Sequence, residues 1–225
     1  MHNVNDHLLI ERAFMSEPKI TVIILGIVGT NCYVVGNQDT GDAVIIDPGD
    51  DADAIIGKCT ELRLRPSAIL LTHGHFDHIL AASEVASEYS VAIYAGENEL
   101  SLLADSGLNG SHMIRKKAKL NGVRPLKDGE KIVMAGFDFT IISTPGHTAG
   151  GVCYYLPEHA VLFSGDTLFS EDYGRTDLPT GSLAEIARSI KDKLFSLPDA
   201  TVVYPGHEES TTIGREKTRN SILFV

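Results

Sequence analysis

Cysteine is scarce in this chain: its 225 residues include only Cys32, Cys59 and Cys153, and no two of them lie close together. Such a sparse, odd set argues against a disulfide scaffold and for a reducing compartment. We interpret all three as small, buried apolar residues without a catalytic role.

Basic residues are also few. The chain has 19 lysines and arginines against 30 aspartates and glutamates, which gives a formal net charge of -11. A protein of this charge repels a phosphate backbone, and we therefore expect no nucleic acid partner.

Long apolar runs are absent as well. No stretch reaches the roughly 18 apolar residues that a membrane span requires. Residues 1–14 lack the basic start and the apolar core of a signal peptide. The sequence thus predicts a cytoplasmic protein with no membrane partner.

What the chain does have is enough apolar material for a full core, since 43% of its residues are hydrophobic. No linker-like segment interrupts it, and we predict one domain over residues 1–225. The predicted strands cover residues 19–28, 31–35, 43–46, 68–71, 91–94, 131–134, 137–142, 152–156, 160–163 and 201–204, and the predicted helices cover residues 50–64, 79–89, 97–104 and 182–194.

The order of these elements indicates the fold class. Strands are followed by β-α alternation, and the same sequence of elements then occurs a second time. This pattern predicts two similar halves, each with a mixed sheet and outer helices. We therefore expect an α/β fold, a four-layer αββα sandwich.

Metal-ligand side chains crowd one short stretch. Residues 72–78 read Thr-His-Gly-His-Phe-Asp-His and directly follow an apolar run. Three later strand-like runs also end in a turn that carries one such residue. The candidate ligands are His73, His75, Asp77, His78, His147, Asp166 and His207. Imidazole and carboxylate groups of this kind suit zinc, iron or manganese, so the pattern predicts a metal site.

The spacing within residues 72–78 indicates two metal positions. His73 and His75 are two residues apart, so in an extended segment they point to the same side. Asp77 and His78 come where the chain turns into the next predicted helix, and they can face a second position.

Other residues admit two interpretations. Asp47 either caps the helix predicted after it or accepts a hydrogen bond from a ligand histidine. Arg175 either anchors a substrate carboxylate or pairs with Asp177 to brace its loop, and we favour bracing. The loop 105–121 carries the basic segment 115–119 and is either a solvated loop or a substrate-side loop. We interpret the remaining histidines as surface residues; they are His2, His7, His112 and His159.

With these motifs the chain resembles the metallo-β-lactamase superfamily, and within it the hydroxyacylglutathione hydrolase (glyoxalase II)-like branch. The resemblance extends from Gly29-Thr30-Asn31-Cys32-Tyr33 to Thr212-Ile213-Gly214-Arg215-Glu216-Lys217. It implies the αββα sandwich, two divalent metal ions and a small-molecule thioester or ester substrate. Zinc is the expected metal, with iron or manganese as alternatives.

The resemblance also implies a role for each ligand. The first metal would be held by His73, His75 and His147, and the second by Asp77, His78 and His207. Asp166 would bridge the two, and both Asp77 and Asp166 are expected to serve catalysis. Two metals about 3.5 Å apart share a hydroxide, which would attack the substrate carbonyl.

The chain departs from the glyoxalase II pattern at two places. Tyr173-Gly174-Arg175-Thr176-Asp177 replaces the lysine segment that contacts glutathione, and Glu208 stands where relatives usually have glycine. The Gly-Arg-Thr-Asp sequence is shared with short glyoxalase-like relatives and with persulfide dioxygenases. A mononuclear-iron persulfide dioxygenase is therefore an alternative, as is a lactonase or β-lactamase-like hydrolase. The segment Tyr204-Pro205-Gly206-His207 favours a hydrolase.

Overall fold

The computed structural model describes residues 16–115 and 117–225, and its centre is a pair of six-stranded sheets. The first half of the chain forms one sheet, in chain order. Its strands are β1 (Pro18–Leu25), β2 (Thr30–Asn37), β3 (Asp42–Ile46), β4 (Arg65–Leu70), β5 (Ala92–Gly96) and β6 (Arg124–Leu126). The pairs β1-β2 and β2-β3 are antiparallel, and the later pairs are parallel.

The second half forms the other sheet, also in chain order. Its strands are β7 (Lys131–Met134), β8 (Phe137–Ser143), β9 (Val152–Leu156), β10 (Val161–Gly165), β11 (Val202–Pro205) and β12 (Thr211–Thr212). Only the pair β10-β11 is parallel. Both sheets are therefore mixed, as predicted.

Helices cover the outer faces. They are α1 (Ala52–Glu61), α2 (Phe76–Ile79), α3 (Ala82–Tyr89), α4 (Leu100–Leu103), α5 (Leu183–Arg188) and α6 (Ile213–Arg219). Successive strand residues point to opposite faces, and this builds the layers. Ile45 packs in one core with Ile55 of α1, whereas Ile46 packs in a second core with Phe163 of the other sheet. A third core joins that sheet to Ile186 of α5. The αββα sandwich is confirmed.

Several predicted boundaries were wrong. The first strand ends at Leu25, because residues 26–29 form a turn in which Gly26 and Gly29 have positive φ. The helix predicted over 79–89 begins only at Ala82, as α3, and a separate short helix, α2, ends at Ile79. The helix predicted over 182–194 passes at Ser189–Lys193 into a π-helical turn and ends in the 3₁₀ turn Leu194–Ser196.

The cysteines are free and buried, as expected. Over residues 16–115 and 117–225, no helix has the length and apolar character needed to cross a bilayer.

Candidate metal centre

The structure brings all seven candidate ligands to one edge of the sandwich. The motif with His73, His75, Asp77 and His78 follows β4, and the other three follow β8, β10 and β11. Three sets of three residues have ligand atoms within 4.8 Å of one another. One of them joins Asp47 to His73 and His78, and the other two consist of candidate ligands alone. The first set is His73, His75 and His147, and the second set is Asp77, His78 and His207.

Asp166 lies between the two sets. Its Oδ2 is 3.6 Å from His147 Nε2 and 3.5 Å from His207 Nε2. Its Oδ1 is 3.4 Å from His78 Nε2. One carboxylate thus faces a histidine of the first set and two of the second, which is the placement that a bridging ligand needs.

The donor atoms fit divalent cations. Nε2 of His73, His75 and His78 and Oδ1 of Asp166 are buried without a hydrogen-bond partner. His75 Nδ1 also lies 2.8 Å from His147 Nε2. A buried polar atom left unpaired costs about 1–3 kcal/mol, so several at one place need an explanation. Bound cations would satisfy Nε2 of His73 and His78 and Oδ1 of Asp166. In His75 it is Nδ1 that lies beside His147 Nε2 and faces the first set.

Hydrogen bonds to groups outside the two sets orient two of the imidazoles. The Nδ1–H of His78 donates to Asp47 Oδ2 at 3.0 Å, and that of His147 donates to the Arg175 carbonyl at 2.8 Å. In its neutral form each imidazole then directs the lone pair of Nε2 at the centre, which is the tautomer that binds metal. Of the two interpretations of Asp47, the contact with a ligand histidine is confirmed; the cap of α1 is Asp51.

A third imidazole is oriented through a threonine. The Thr72 hydroxyl donates to Asp47 Oδ2 at 2.6 Å. It therefore accepts from His73 Nδ1, which lies 3.1 Å away. Asp47 also accepts from the Thr72 backbone N–H at 2.7 Å. One buried carboxylate thus sets the tautomers of two candidate ligands.

The two sets differ in charge. Burial lowers the pKa of His73 and His147, and burial together with the His147 imidazole lowers the pKa of His75 to about 3. The first set is therefore neutral at pH 7. Burial also disfavours the charged forms of His78 and His207, but the Asp77 and Asp166 carboxylates outweigh it and raise both pKa values. The second set thus holds protons that a cation would replace.

Sequence reasoning missed the residues that position Asp77 and His207. The Thr30 hydroxyl donates to Asp77 Oδ2 at 2.9 Å. Asn31 Nδ2 donates to the Pro205 carbonyl at 3.0 Å, and its backbone N–H donates to the Gly206 carbonyl at 2.7 Å. The available signal was the polar pair Thr30-Asn31 at the start of an apolar strand.

A cavity of about 400 Å³ opens over the centre. Its floor includes candidate ligands, and several walls are apolar. The apolar residues that line it are Val28, Phe76, Leu108, Met113, Leu178 and Pro179. The segment from Gly107 to Met113 forms one wall, so the loop 105–121 borders this cavity. Lys116 of its basic segment lies outside the described residues.

Arg175 lines the cavity but is also paired. Its Nε and Nη2 donate to the two oxygens of Asp177 at 2.7 Å and 2.8 Å. This fork matches the bracing interpretation. The same loop supplies the carbonyl that orients His147, so bracing it acts on a candidate ligand.

Two other sequence expectations concern exposed positions. Glu208 is exposed with a φ of 64°, in the left-handed region that favours glycine, which explains the residue usual in relatives. His112 is exposed, as expected, but the surface assignment of His159 was wrong: its side chain is 6% exposed and packs on the Phe137 ring. His2 and His7 lie outside the described residues.

The chain was compared with known proteins. The family model described as the Metallo-beta-lactamase superfamily matches residues 25–207. A probable metallo-hydrolase, YqgX of Bacillus subtilis, is 37% identical, with 88% of this chain and 94% of that protein covered. The hydroxyacylglutathione hydrolase GloC of Haemophilus influenzae is 36% identical, with 86% and 92% covered.

Solved structures match the fold over a similar span. The BLEG-1 B3 metallo-beta-lactamase gives a TM-score of 0.84 at 41% identity, covering 92% of this chain and 100% of that one. TTHA1623 in a di-iron-bound form gives 0.81 at 35% identity, covering 91% and 100%. ETHE1 from Myxococcus xanthus gives 0.75 at 28% identity, covering 90% and 83%.

Proposed function

The chain belongs to the metallo-beta-lactamase superfamily, within which it is a metallo-hydrolase, and we propose that it cleaves a thioester at a binuclear centre, in the manner of a hydroxyacylglutathione hydrolase. One observation carries the proposal: two ligand sets and a shared carboxylate lie at the floor of a cavity. The cavity lining contains no serine, threonine or cysteine among the described residues. The nucleophile is then water rather than a side chain.

The proposed ligands are His73, His75 and His147 for the first metal, Asp77, His78 and His207 for the second, and Asp166 for both. A mononuclear centre built on His73, His147 and Asp166 would leave Asp77, His78 and His207 clustered without a role. This favours a binuclear hydrolase over the mononuclear-iron dioxygenase.

Divalent metals at such a site lower the pKa of bound water to about 7 and polarise a carbonyl. The protein's own carboxylates would accept the protons. The pKa of Asp77 is lowered because the nearby His78 and His207 imidazoles and the Thr30 hydroxyl outweigh its burial, so this carboxylate is ionised at the cavity floor. Asp77 and Asp166 can each accept a proton there, and we propose them as the catalytic carboxylates.

The thioester assignment has two supports. GloC is a hydroxyacylglutathione hydrolase by name and covers 86% of this chain. A thiol has a pKa of about 8.5, so a thiolate leaves without prior protonation, and a site whose floor offers carboxylates rather than a dedicated acid suits it. The apolar walls fit the acyl group. We propose zinc as the metal and the cytoplasm as the location.

A second candidate is β-lactam hydrolysis. It is favoured by BLEG-1, which is a metallo-beta-lactamase by name and 41% identical to this chain. The nitrogen of a β-lactam is a poorer leaving group than a thiolate, so this activity would require more help from a proton donor.

The test pairs metal analysis with a substrate panel of S-lactoylglutathione, a chromogenic β-lactam and glutathione persulfide. We expect about two metal equivalents and thiol release from the thioester, and loss of both metal and turnover in His75→Ala. β-Lactam cleavage without thioester cleavage would replace the proposal by the second candidate. One iron with oxygen uptake on the persulfide would replace it by the dioxygenase.

A further inference from the structure

Two loops bring the first set of ligands together from different sheets. Residues 72–78 follow β4 of one sheet, and residues 144–151 follow β8 of the other. The sheets are joined at this edge, since the Val152 N–H donates to the Thr72 carbonyl at 2.8 Å and the Tyr154 hydroxyl donates to the Leu71 carbonyl at 2.7 Å. These contacts fix the strands and the first residue of the first loop, but they do not reach residues 73–78 or 144–151.

The Glu99 carboxylate lies between the two loops. Its Oε1 accepts from the Gly74 N–H at 2.7 Å. Its Oε2 accepts from the Thr148 hydroxyl at 3.0 Å and from the Gly150 N–H at 2.9 Å. Gly74 separates His73 from His75, and Thr148 directly follows His147. One side chain is thus bonded to backbone or side chain next to all three ligands of the first set.

Packing holds Glu99 tightly in this position. Its residue is 1% exposed. A Cβ at Gly150 would lie 2.1 Å from the Glu99 backbone nitrogen, and one at Gly74 would lie 2.8 Å from side-chain carbons of Leu102 and Leu103. The 3₁₀ turn Glu97–Glu99 and α4 are therefore wedged between the loops, and only glycine permits the close approach on each side.

The bonding is also chemically specific. Two of the three partners are backbone N–H groups, which only donate, and an ionised carboxylate only accepts. Burial raises the pKa of the Glu99 carboxyl, whereas its three donors favour the ionised form. A carboxylate with all its bonds inside the protein has no other evident task.

We propose that Glu99 is a positioning residue that sets the spacing between the His73–His75 loop and the His147 loop, and so tunes metal affinity at the first set. The inference rests on the proposed metal centre. It adds to that centre a residue that touches neither metal nor substrate.

The decisive variant is Glu99→Gln, which keeps the shape of the side chain. Gly74 and Gly150 bond to different oxygens, so the amide NH₂ faces a backbone N–H whichever way it is turned. One of the two loops then loses its backbone hydrogen bond to residue 99. The matched control is Glu97→Gln, which makes the same change at an exposed position of the same turn.

Two readouts separate positioning from general stability. The first is zinc affinity by chelator competition, which we expect Glu99→Gln to weaken roughly 10–100-fold while Glu97→Gln leaves it unchanged. The second is amide hydrogen exchange in the metal-free protein. There we expect faster exchange at Gly74 or Gly150 in Glu99→Gln, with the central strands still protected.

Wild-type zinc affinity and wild-type exchange in Glu99→Gln would overturn the proposal. A lower melting temperature with unchanged affinity would overturn it too, because that outcome describes a structural residue only. If Glu99→Gln does not fold, Thr148→Val decides, since it removes one donor and should weaken zinc binding less but in the same direction. If the wild type binds no metal, the proposed function fails. Amide exchange still tests whether Glu99 holds the two loops together.

Discussion

At the scale of single residues, the candidate metal centre depends on groups that are not themselves among the seven candidate ligands. Asp47 orients His78 directly and His73 through Thr72, and the Arg175 carbonyl orients His147. Hydrogen bonds of this kind determine the tautomer of each imidazole, and the tautomer determines whether a ring nitrogen can bind a cation.

Asp47→Asn tests this control. Asp47 has a φ of 52°, which asparagine also tolerates, so the backbone is not strained. The new NH₂ group faces either the Thr72 N–H or the His78 Nδ1–H. We expect metal affinity to fall roughly 10–100-fold, together with a lower melting temperature, because a buried N–H group is left unpaired. Asp53→Asn, on the exposed face of α1, is the control. Wild-type affinity in Asp47→Asn would contradict the argument.

Arg175 requires a double-mutant cycle, because its two interpretations predict different kinetics. If it braces the loop against Asp177, Arg175→Ala and Asp177→Asn lower kcat/KM equally, and the double variant loses no more. We expect this result. An increase in KM that is confined to Arg175→Ala would instead assign it to a substrate carboxylate.

The sequence predicted the seven candidate ligands because each follows an apolar run, and strand ends meet at an edge of a sheet. It could not predict Glu99, Thr30 or Asn31, because each acts through contacts with residues far away in the chain. Thr30 and Asp77, for example, are 47 positions apart. Asp47 was ambiguous for the same reason: its local position suits a helix cap, and only the fold brings His78 to it.

At the scale of elements, the strands were easier to predict than the helices. Strands β2, β3, β9 and β10 are buried on both faces, so their apolar runs are nearly continuous. The short strands β6 and β12 and the helix α6 were missed, because elements of this length carry too little periodicity. The helix from Ser182 was predicted as one unit, because the spacing of its apolar residues gives no sign of the π-helical turn at Ser189–Lys193.

The contact of α5 with the His147 turn is a testable element-scale feature. Gly146 has a φ of 137°, and a Cβ there would lie 2.2 Å from the Ile186 backbone nitrogen. Gly146→Ala must push α5 away from the turn, at a cost of about 1–3 kcal/mol for overpacking. We expect a lower melting temperature and weaker metal binding.

Gly57→Ala is the matched control. Gly57 is in α1, and a Cβ there would meet nothing within 4 Å. Alanine is the better helix residue by roughly 0.5–1 kcal/mol, so this variant should be slightly stabilised. A Gly146→Ala protein that is as stable as the wild type would show that α5 yields freely.

At the scale of the whole molecule, the histidines of the first set govern the acid stability of the metal-free protein. Their unfolded pKa is about 6.5. The folded pKa of His75 is about 3, and those of His73 and His147 are also lowered. Below pH 6.5 the unfolded state therefore binds more protons, and stability is lost as the pH falls towards 3. His78 and His207 act in the opposite direction, because their raised folded pKa values add stability as the pH falls through about 6.5, and they reduce this loss.

Chemical unfolding of chelator-treated protein at pH 7 and pH 5 measures the effect. His75 should contribute on the order of 2 kcal/mol between these pH values, and His73 and His147 should act in the same direction. His75→Asn should flatten the dependence, since it removes one of the titrating groups. The same pH dependence in His75→Asn as in the wild type would contradict the assignment of a neutral His75.

The proposed ligand sets draw on both halves of the chain: each takes two side chains from residues 73–78 and one from beyond residue 140. During synthesis the first half emerges with four candidate ligands, yet neither proposed set is complete until the second sheet docks. Metal binding would then be the last step, and it would stabilise the contact between the two docked sheets. When metal is limiting in the cell, the metal-free molecules would be the ones that proteases cleave, at the contact between the two sheets.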